Sequence, residues 1–129
     1  MIGKHLLANV YNILNDECLE KIETIQPLMI KIIEKMKLNV VGEVHKQFEP
    51  VGATLLYLLA ESHLSVHTFV EEKYCAIDLY CCSDKINMEE VLDIIFKFFN
   101  GDCIIRKQII DRFKNDYIMY RNRNIYNAS

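Results

Sequence analysis

A short stretch of the chain combines residue types that carry out nucleophilic and proton-transfer chemistry. Ser62 follows Glu61 at the end of an apolar run, His67 stands five residues further on, and Cys82 stands twenty residues after Ser62. A serine hydroxyl is a nucleophile, an imidazole is a base, and a thiol with a reference pKa of about 8.5 can deliver a proton at neutral pH. These are the residue types of an acyl-transfer or self-processing centre.

The elements around these residues decide whether they act together. Residues 53–60 form a continuous apolar run whose length favours a buried strand, although the pattern alone also fits a helix. A rigid strand here can hold the Glu61–Ser62 peptide bond in a strained geometry. We expect His67 to fold back beside Ser62 through an intervening turn. Each residue also has a structural explanation, because a serine between two strands is usually a turn residue and an isolated strand histidine is usually not a base.

Neither the histidines nor the cysteines have the spacing of a metal site. On a strand, His63 and His67 lie about 13 Å apart, too far for one ion. The five cysteines include no C-x-x-C pair, which argues against a zinc ribbon and a thioredoxin-like motif. We therefore expect no metal, and we interpret Cys18, Cys75 and Cys103 as small buried apolar groups.

The composition predicts one globular domain over residues 1–129. A net charge of −3 argues against nucleic acid as the main partner. No apolar run reaches the roughly 18 to 20 residues of a membrane span, and the N-terminus lacks the layout of a signal peptide. Together with an odd number of cysteines, this predicts a cytoplasmic protein with reduced thiols. Basic residues crowd the last quarter, either as a solvated tail or as a surface for an acidic partner.

The hydrophobic pattern predicts elements in the order β-α-β-β-β-β-α-β. The predicted strands are 5–11, 39–49, 53–60, 64–69, 74–81 and 103–110, with 64–82 as a hairpin. One helix is expected within 17–37 and a second over 88–99, capped by Asp84 or Asn87 and ended by Asn100-Gly101. Pro27 interrupts the first helical pattern, and we favour a main helix that begins at Pro27 over a kinked one.

This order predicts an α+β fold. The expected architecture is a two-layer sandwich, with a mostly antiparallel sheet of five or six strands and the helices packed on one face. Ser65, His67 and Phe69 are expected on one face of their strand. The end of the chain, from residue 114 to 129, shows no clear period.

Four motifs resemble the bacterial and archaeal S-adenosylmethionine decarboxylase proenzymes, a pyruvoyl-dependent family. They are Gly3-Lys4-His5-Leu6-Leu7, Phe48-Glu49-Pro50-Val51-Gly52, Leu59-Ala60-Glu61-Ser62-His63-Leu64-Ser65-Val66-His67-Thr68, and Ala76-Ile77-Asp78-Leu79 leading to Cys82. The resemblance covers nearly all of residues 3–107. Its most specific part is the Glu-Ser-His run with the His-Thr and the Cys that follow.

The resemblance implies a proenzyme that cuts itself between Glu61 and Ser62. The products would be a β chain of residues 1–61 and an α chain of residues 62–129. Ser62 would attack the Glu61 carbonyl and end as a pyruvoyl group, and His67 would accept the Cα proton of residue 62. Thr54 matches a hydroxyl position that supports the cleavage intermediate.

The resemblance also implies a decarboxylase of S-adenosylmethionine that supplies aminopropyl groups for spermidine synthesis. The pyruvoyl ketone would form a Schiff base with the substrate amine and act as the electron sink. Cys82 would protonate the substrate carbon, Phe48 would stack on the adenine and sulfonium region, and Glu71 would hold the ribose hydroxyls. The short form implies a homodimer whose active sites are fed by both protomers, without a putrescine activator.

Several positions depart from the family pattern. Phe69-Val70 stands where Trp-Pro is usual, Cys81 and Ser83 replace Thr and Gly, and Asn9 replaces an acidic residue near the substrate end of the pocket. The change at Asn9 leaves open another amino acid substrate, such as ornithine or arginine. An uncleaved, non-catalytic relative that binds a partner also stays open. The tail over 108–129 is longer than is usual in the family.

Overall fold

The computed structural model describes residues 3–82 and 84–114, so the departure at Ser83 and most of the predicted tail lie outside the described residues. The elements are β1 (Lys4–Tyr11), a short 3-10 helix (Asp16–Leu19), α1 (Ile22–Lys35), β2 (Val40–Gln47), β3 (Ala53–Leu59), β4 (Ser62–Phe69), β5 (Tyr74–Cys81), α2 (Met88–Phe98) and β6 (Ile104–Asp111). Apart from the added 3-10 helix, the predicted order is confirmed.

The six strands form one sheet in the order β2-β3-β4-β5-β1-β6. Every neighbouring pair in it is antiparallel. The two helices share one hydrophobic core with a single side of this sheet. The predicted α+β two-layer sandwich is therefore confirmed.

Period-two alternation separates the two faces of the sheet. In β5, alternate side chains are buried against the helices, namely Cys75, Ile77, Leu79 and Cys81. The helices complete the core with Ile25, Leu28, Met29, Ile32, Val91 and Ile95. We call the opposite side of the sheet, which neither α1 nor α2 covers, the open face. Ser65, His67 and Phe69 alternate with the buried Leu64, Val66 and Thr68 and share the open face.

Helix α1 begins at Ile22 and contains Pro27, so the prediction of a helix that begins at Pro27 is wrong. Two side chains accept backbone N–H groups at the start of this helix. Thr24 Oγ1 accepts from Lys21 at 3.1 Å, and Gln47 Oε1 accepts from Ile22 at 2.8 Å. Because these contacts satisfy donors that a helix start leaves unpaired, the helix forms ahead of the proline.

The second helix has the predicted boundaries to within one residue. The Asn87 side chain caps α2 by accepting the N–H groups of Glu89 at 3.0 Å and Glu90 at 3.3 Å. Asn100 and Gly101 both have positive φ, which ends the helix. Strand β6 then runs over Ile104–Asp111, which agrees to within one residue with the predicted strand over 103–110.

Candidate functional site

Glu61, Ser62 and Cys82 lie together at one end of the sheet, and we call them the Ser62 cluster. Glu61 lies in the tight turn between β3 and β4, and Ser62 is the first residue of β4, paired with Leu59. Cys82 directly follows β5, and its Sγ donates to the Glu61 carbonyl oxygen at 3.4 Å. A cavity of about 480 Å³ borders all three residues. The Cys82 thiol therefore contacts the carbonyl oxygen of the Glu61–Ser62 peptide bond.

The Ser62 cluster is arranged for attack on that carbonyl. The Ser62 hydroxyl belongs to the residue whose amide nitrogen would be the leaving group, so the nucleophile is tethered next to its target. A hydrogen-bond donor on a carbonyl oxygen stabilises the negative charge that develops there during attack. The Cys82 thiol occupies this donor position.

A second group lies at the other end of β4, and we call it the His67 cluster: Phe48, Thr54, His67 and Glu71. Thr54 and His67 face each other across β3 and β4, with Thr54 Oγ1 and His67 Nδ1 3.0 Å apart. Phe48 and Glu71 line the same cavity, of about 510 Å³. When Nδ1–H donates to the threonine hydroxyl, His67 Nε2 keeps its lone pair and is the basic atom.

The two clusters are far apart within one chain. Strand β4 is continuous from Ser62 to Phe69, so no turn separates Ser62 from His67. Five residues of extended strand span about 17 Å. Both edges of this segment are paired, with β3 on one side and β5 on the other. The expectation that His67 folds back beside Ser62 is therefore wrong for a single chain.

Asn9 replaces an acidic residue of the family pattern, which left the choice of substrate open. It lies near the His67 cluster. It shares a cross-strand row of the open face with His67, and Ala76 stands between them. Two strand spacings put these positions about 10 Å apart. The Asn9 Oδ1 accepts the Tyr74 hydroxyl at 2.7 Å. The Asn9 side chain is thus held in place by a hydrogen bond to a residue of the neighbouring strand β5.

Sequence reasoning assigned no role to a group of rings at the Ser62 end of the open face. The rings of His5, His63 and Tyr80 form a triangle with each pair of centroids 5.8 to 6.0 Å apart, and the Arg112 guanidinium is 5.0 Å from the Tyr80 ring. Burial lowers the pKa of His5, and its Nε2 is buried without a hydrogen-bond partner in the described part of the chain. The Gly3-to-Leu7 motif carried the signal for His5, but only strand pairing brings the rings together.

The four cysteines outside the Ser62 cluster are shielded from solvent. Cys75 and Cys81 are buried, and Cys18 and Cys103 are partly buried. Burial raises the pKa of the Cys18, Cys75 and Cys103 thiols, that of Cys18 to about 11. Such thiols stay protonated at neutral pH and react slowly.

The described residues lack two further kinds of feature, a metal site and a membrane-spanning helix. Across residues 3–82 and 84–114, no three His, Cys, Asp or Glu side chains are grouped so that they can hold a metal ion. Neither α1 nor α2, the α-helices of that part of the chain, has the length and apolar character of a membrane span.

Comparisons with known proteins point to one family. A family model described as S-adenosylmethionine decarboxylase matches residues 4–112. The chain is 31% identical over 112 residues to the S-adenosylmethionine decarboxylase proenzyme of Archaeoglobus fulgidus, a match that covers 87% of this chain and 98% of that protein. It is 35% identical over 96 residues to the proenzyme of the same name from Picrophilus torridus, covering 74% of this chain and 73% of that protein.

Solved structures share the fold. The crystal structure of the adenosylmethionine decarboxylase from Aquifex aeolicus aligns with a TM-score of 0.76 and 29% identity, over 93% of this chain and 98% of that one. The Trypanosoma brucei AdoMetDC-delta26 monomer aligns with a TM-score of 0.56 over 77% of this chain and 42% of that one. At 10% identity, this second likeness concerns the fold alone.

Proposed function

Because this chain belongs to the S-adenosylmethionine decarboxylase family, we propose that it is a self-processing, pyruvoyl-dependent enzyme that converts S-adenosylmethionine to decarboxylated S-adenosylmethionine and carbon dioxide. One observation carries the proposal: the Cys82 thiol donates to the carbonyl oxygen of Glu61, directly ahead of the Ser62 hydroxyl. A peptide bond with a nucleophile on one side and a donor on its carbonyl oxygen is arranged for cleavage.

Self-processing begins when Ser62 Oγ attacks the Glu61 carbonyl carbon. The C–N bond breaks as an ester C–O bond forms, and the hydroxyl proton ends on the released amine of residue 62. A base then takes the Cα proton of residue 62, and β-elimination expels the Glu61 carboxylate as a new C-terminus. Water adds to the dehydroalanine and ammonia leaves, so residue 62 becomes a pyruvoyl group.

We assign the base in this sequence to His67 of a second copy of the chain. A proton acceptor must lie about 3 Å from the atom that gives up the proton, or one water away. His67 of the same chain lies about 17 Å from Ser62 along β4. Two copies can stack sheet against sheet about a two-fold axis that crosses their strands. The β4 strands of the two copies then run in opposite directions. The end of β4 that carries His67 in one copy then lies opposite the end of β4 that carries Ser62 in the other.

The open face has the character that such a homodimer requires. Apolar side chains on β2 and β3 stand out from it, since Val44, Leu56 and Leu58 are 63%, 42% and 58% exposed. Contiguous exposed apolar surface marks a contact region. His5 lies on the same face, and a second copy can supply the hydrogen-bond partner that its Nε2 lacks within residues 3–82 and 84–114.

The Ser62 cluster fits a pyruvoyl group formed in place. The group supplies a ketone that accepts the electrons left behind when a carboxylate departs as carbon dioxide. Residue 62 borders a cavity of about 480 Å³, which leaves room for a small-molecule substrate. Cys82 borders the same cavity, and we assign it the delivery of a proton to the substrate carbon after carbon dioxide has left.

Phe48 and Glu71 are the proposed contacts for the adenosine part of the substrate. Phe48 is 45% exposed and lines the His67 cavity, so its side chain is accessible to an adenine ring and to the sulfonium charge. A cation–π contact of this kind contributes about 0.5 to 2 kcal/mol. Glu71 lines the same cavity, and its carboxylate can accept from two ribose hydroxyls.

Glu71→Gln is expected to raise the KM for S-adenosylmethionine about tenfold with little change in kcat, because a neutral amide accepts more weakly than a carboxylate. Carbon dioxide released from carboxyl-labelled substrate measures both constants. Glu72→Gln is the matched control, since Glu72 is the adjacent carboxylate on the same cavity. An equal rise in KM for the control would assign the effect to the overall charge of the cavity and not to Glu71.

Thr54→Val keeps the shape of the side chain and removes the hydroxyl that contacts His67 Nδ1. We expect self-cleavage to slow by about ten- to a hundredfold, because the imidazole loses the contact that fixes its orientation and tautomer. The rate is measured from the disappearance of full-length chain on denaturing gels. Cleavage at the wild-type rate would exclude Thr54 from the processing reaction.

The substrate is tested by offering the processed enzyme S-adenosylmethionine, ornithine and arginine, each with a labelled carboxyl group. We expect carbon dioxide from S-adenosylmethionine alone, because Phe48 and Glu71 suit an adenosine group that the other two amino acids lack. Release from ornithine or arginine at a comparable rate would keep the pyruvoyl chemistry and overturn the substrate. A chain that stays uncut would instead support a non-catalytic relative.

A further inference from the structure

Gln47 ties the segment that carries Phe48 to the start of α1. It is the last residue of β2 and is partly buried. Its Nε2 donates to the carbonyl oxygens of Glu20 at 2.9 Å, Phe48 at 3.1 Å and Gly52 at 2.9 Å. Its Oε1 accepts the N–H of Ile22 at 2.8 Å. One side-chain amide therefore joins two segments that are distant in the sequence.

The backbone of residues 48–52 closes on itself around this amide. The Phe48 N–H donates to the Gly52 carbonyl oxygen at 2.8 Å, and the Gly52 N–H donates to the Glu20 carbonyl oxygen at 2.7 Å. Gly52 has a φ of 112°, a conformation that other residues adopt only with strain. Residues 48–52 thus form a compact loop, and Gln47 bonds to both of its ends.

We propose that Gln47 is a positioning residue for the substrate, because it sets where the Phe48 ring stands in the His67 cavity. This inference rests on the proposed function. Gln47 pairs with Ala53, whose side chain is buried against the helices, so its amide lies on the helix side of the sheet. It is not among the residues that line the His67 cavity, whereas Phe48 is. Gln47 therefore acts through Phe48 and does not touch the substrate.

The reason for an effect on binding is geometric. A ring that stacks on adenine works only when its position is fixed, and a displacement of about 1 Å in a positioning group costs up to a hundredfold in rate. Without the amide, the loop keeps its internal hydrogen bond between Phe48 and Gly52 and the backbone bond from Gly52 to Glu20. It loses the side-chain bonds to Glu20 and Ile22, so the Phe48 end of the loop is no longer anchored to the helix layer.

The test compares Gln47→Ala and Gln47→Glu with the control Gln26→Ala. Gln26 is also a partly buried glutamine with a long-range bond, from its Nε2 to the Tyr57 hydroxyl at 3.1 Å. Gln47→Glu has the shape of the native side chain and keeps the acceptor for Ile22, but its second carboxylate oxygen cannot donate to the three carbonyl oxygens, so it removes the donor without opening a cavity. We expect both Gln47 variants to raise the KM for S-adenosylmethionine about tenfold, with kcat within about twofold of wild type. A KM no higher than that of the control would overturn the proposal.

A double-mutant cycle separates positioning from general loosening of the fold. In the Phe48→Ala background the ring is absent, so Gln47→Glu should change KM by less than about twofold. Independent effects that simply multiply would show that Gln47 does not act through Phe48.

A third readout does not depend on activity, so failure of the proposed function stays distinguishable. Gln47→Ala and Gln47→Glu should speed amide hydrogen exchange in residues 48–52, and Gln26→Ala should not. Unchanged exchange would overturn the anchoring role even in an active enzyme. Faster exchange in a chain that releases no carbon dioxide would keep the anchoring role and reject the decarboxylase.

Discussion

We expect Ser62→Ala to leave an uncut chain that releases no carbon dioxide from S-adenosylmethionine. The substitution removes the Oγ atom proposed to attack the Glu61 carbonyl, and with it the precursor of the pyruvoyl group. Because Ser62 supplies both the nucleophile and the pyruvoyl group, self-cleavage and decarboxylation should both fall to the background of their assays. Denaturing mass measurement follows the cut, and labelled substrate follows the decarboxylation.

Ser65→Ala is the matched control for this variant. Ser65 lies on the same strand and is buried, but it stands between the two clusters and belongs to neither. We expect this chain to be cut and to be active at close to the wild-type level. Full activity in Ser62→Ala would remove Ser62 from the chemistry, and loss of cleavage in both variants would point to damage of β4.

The second large effect is expected from combining two inactive variants in one cell. His67→Ala should slow cleavage about a hundredfold or more, as removal of a general base does. Ser62→Ala cannot be cut at all. A mixed dimer of the two, however, has one complete site, in which Ser62 of the His67→Ala chain faces His67 of the Ser62→Ala chain. The His67→Ala chain should therefore be cut again.

Different affinity tags identify which chain is cut. The control replaces the Ser62→Ala chain by one that carries both Ser62→Ala and His67→Ala, so that no His67 is present, and we expect no cleavage. If the mixed dimer also stays uncut, the base lies within the same chain as its Ser62. That result would contradict a site formed by two copies of the chain. The distance of about 17 Å between Ser62 and His67 along β4 would then need another explanation.

Much of the fold could be predicted because its strands alternate. In β5 the apolar and polar residues change sides at every step, and the two-residue period alone identifies a half-buried strand. The cap at Asn87 and the glycine after α2 are local signals of the same kind. Each of these features is decided by residues within one element, which is the range that sequence patterns cover.

The predictions that were wrong concern features that depend on contacts between distant parts of the chain. The same holds for the features that the sequence did not reveal. The local pattern favours a helix start at Pro27, but Gln47 from β2 accepts the N–H of Ile22 and lets α1 begin earlier. The local pattern also places a turn between Ser62 and His67, whereas pairing with β3 extends β4 back to Ser62. The grouping of Phe48, Thr54, His67 and Glu71 around one cavity also depends on distant parts of the chain, since pairing of β3 with β4 joins Thr54 to His67.

Every function proposed for this chain depends on self-cleavage between Glu61 and Ser62 with conversion of Ser62 to a pyruvoyl group. The intact mass of the purified protein under denaturing conditions tests this step. We expect two species, one of residues 1–61 with a normal C-terminus and one of residues 62–129 whose first residue has lost its amine and gained a ketone. A single uncut chain of 129 residues after prolonged incubation would contradict self-cleavage.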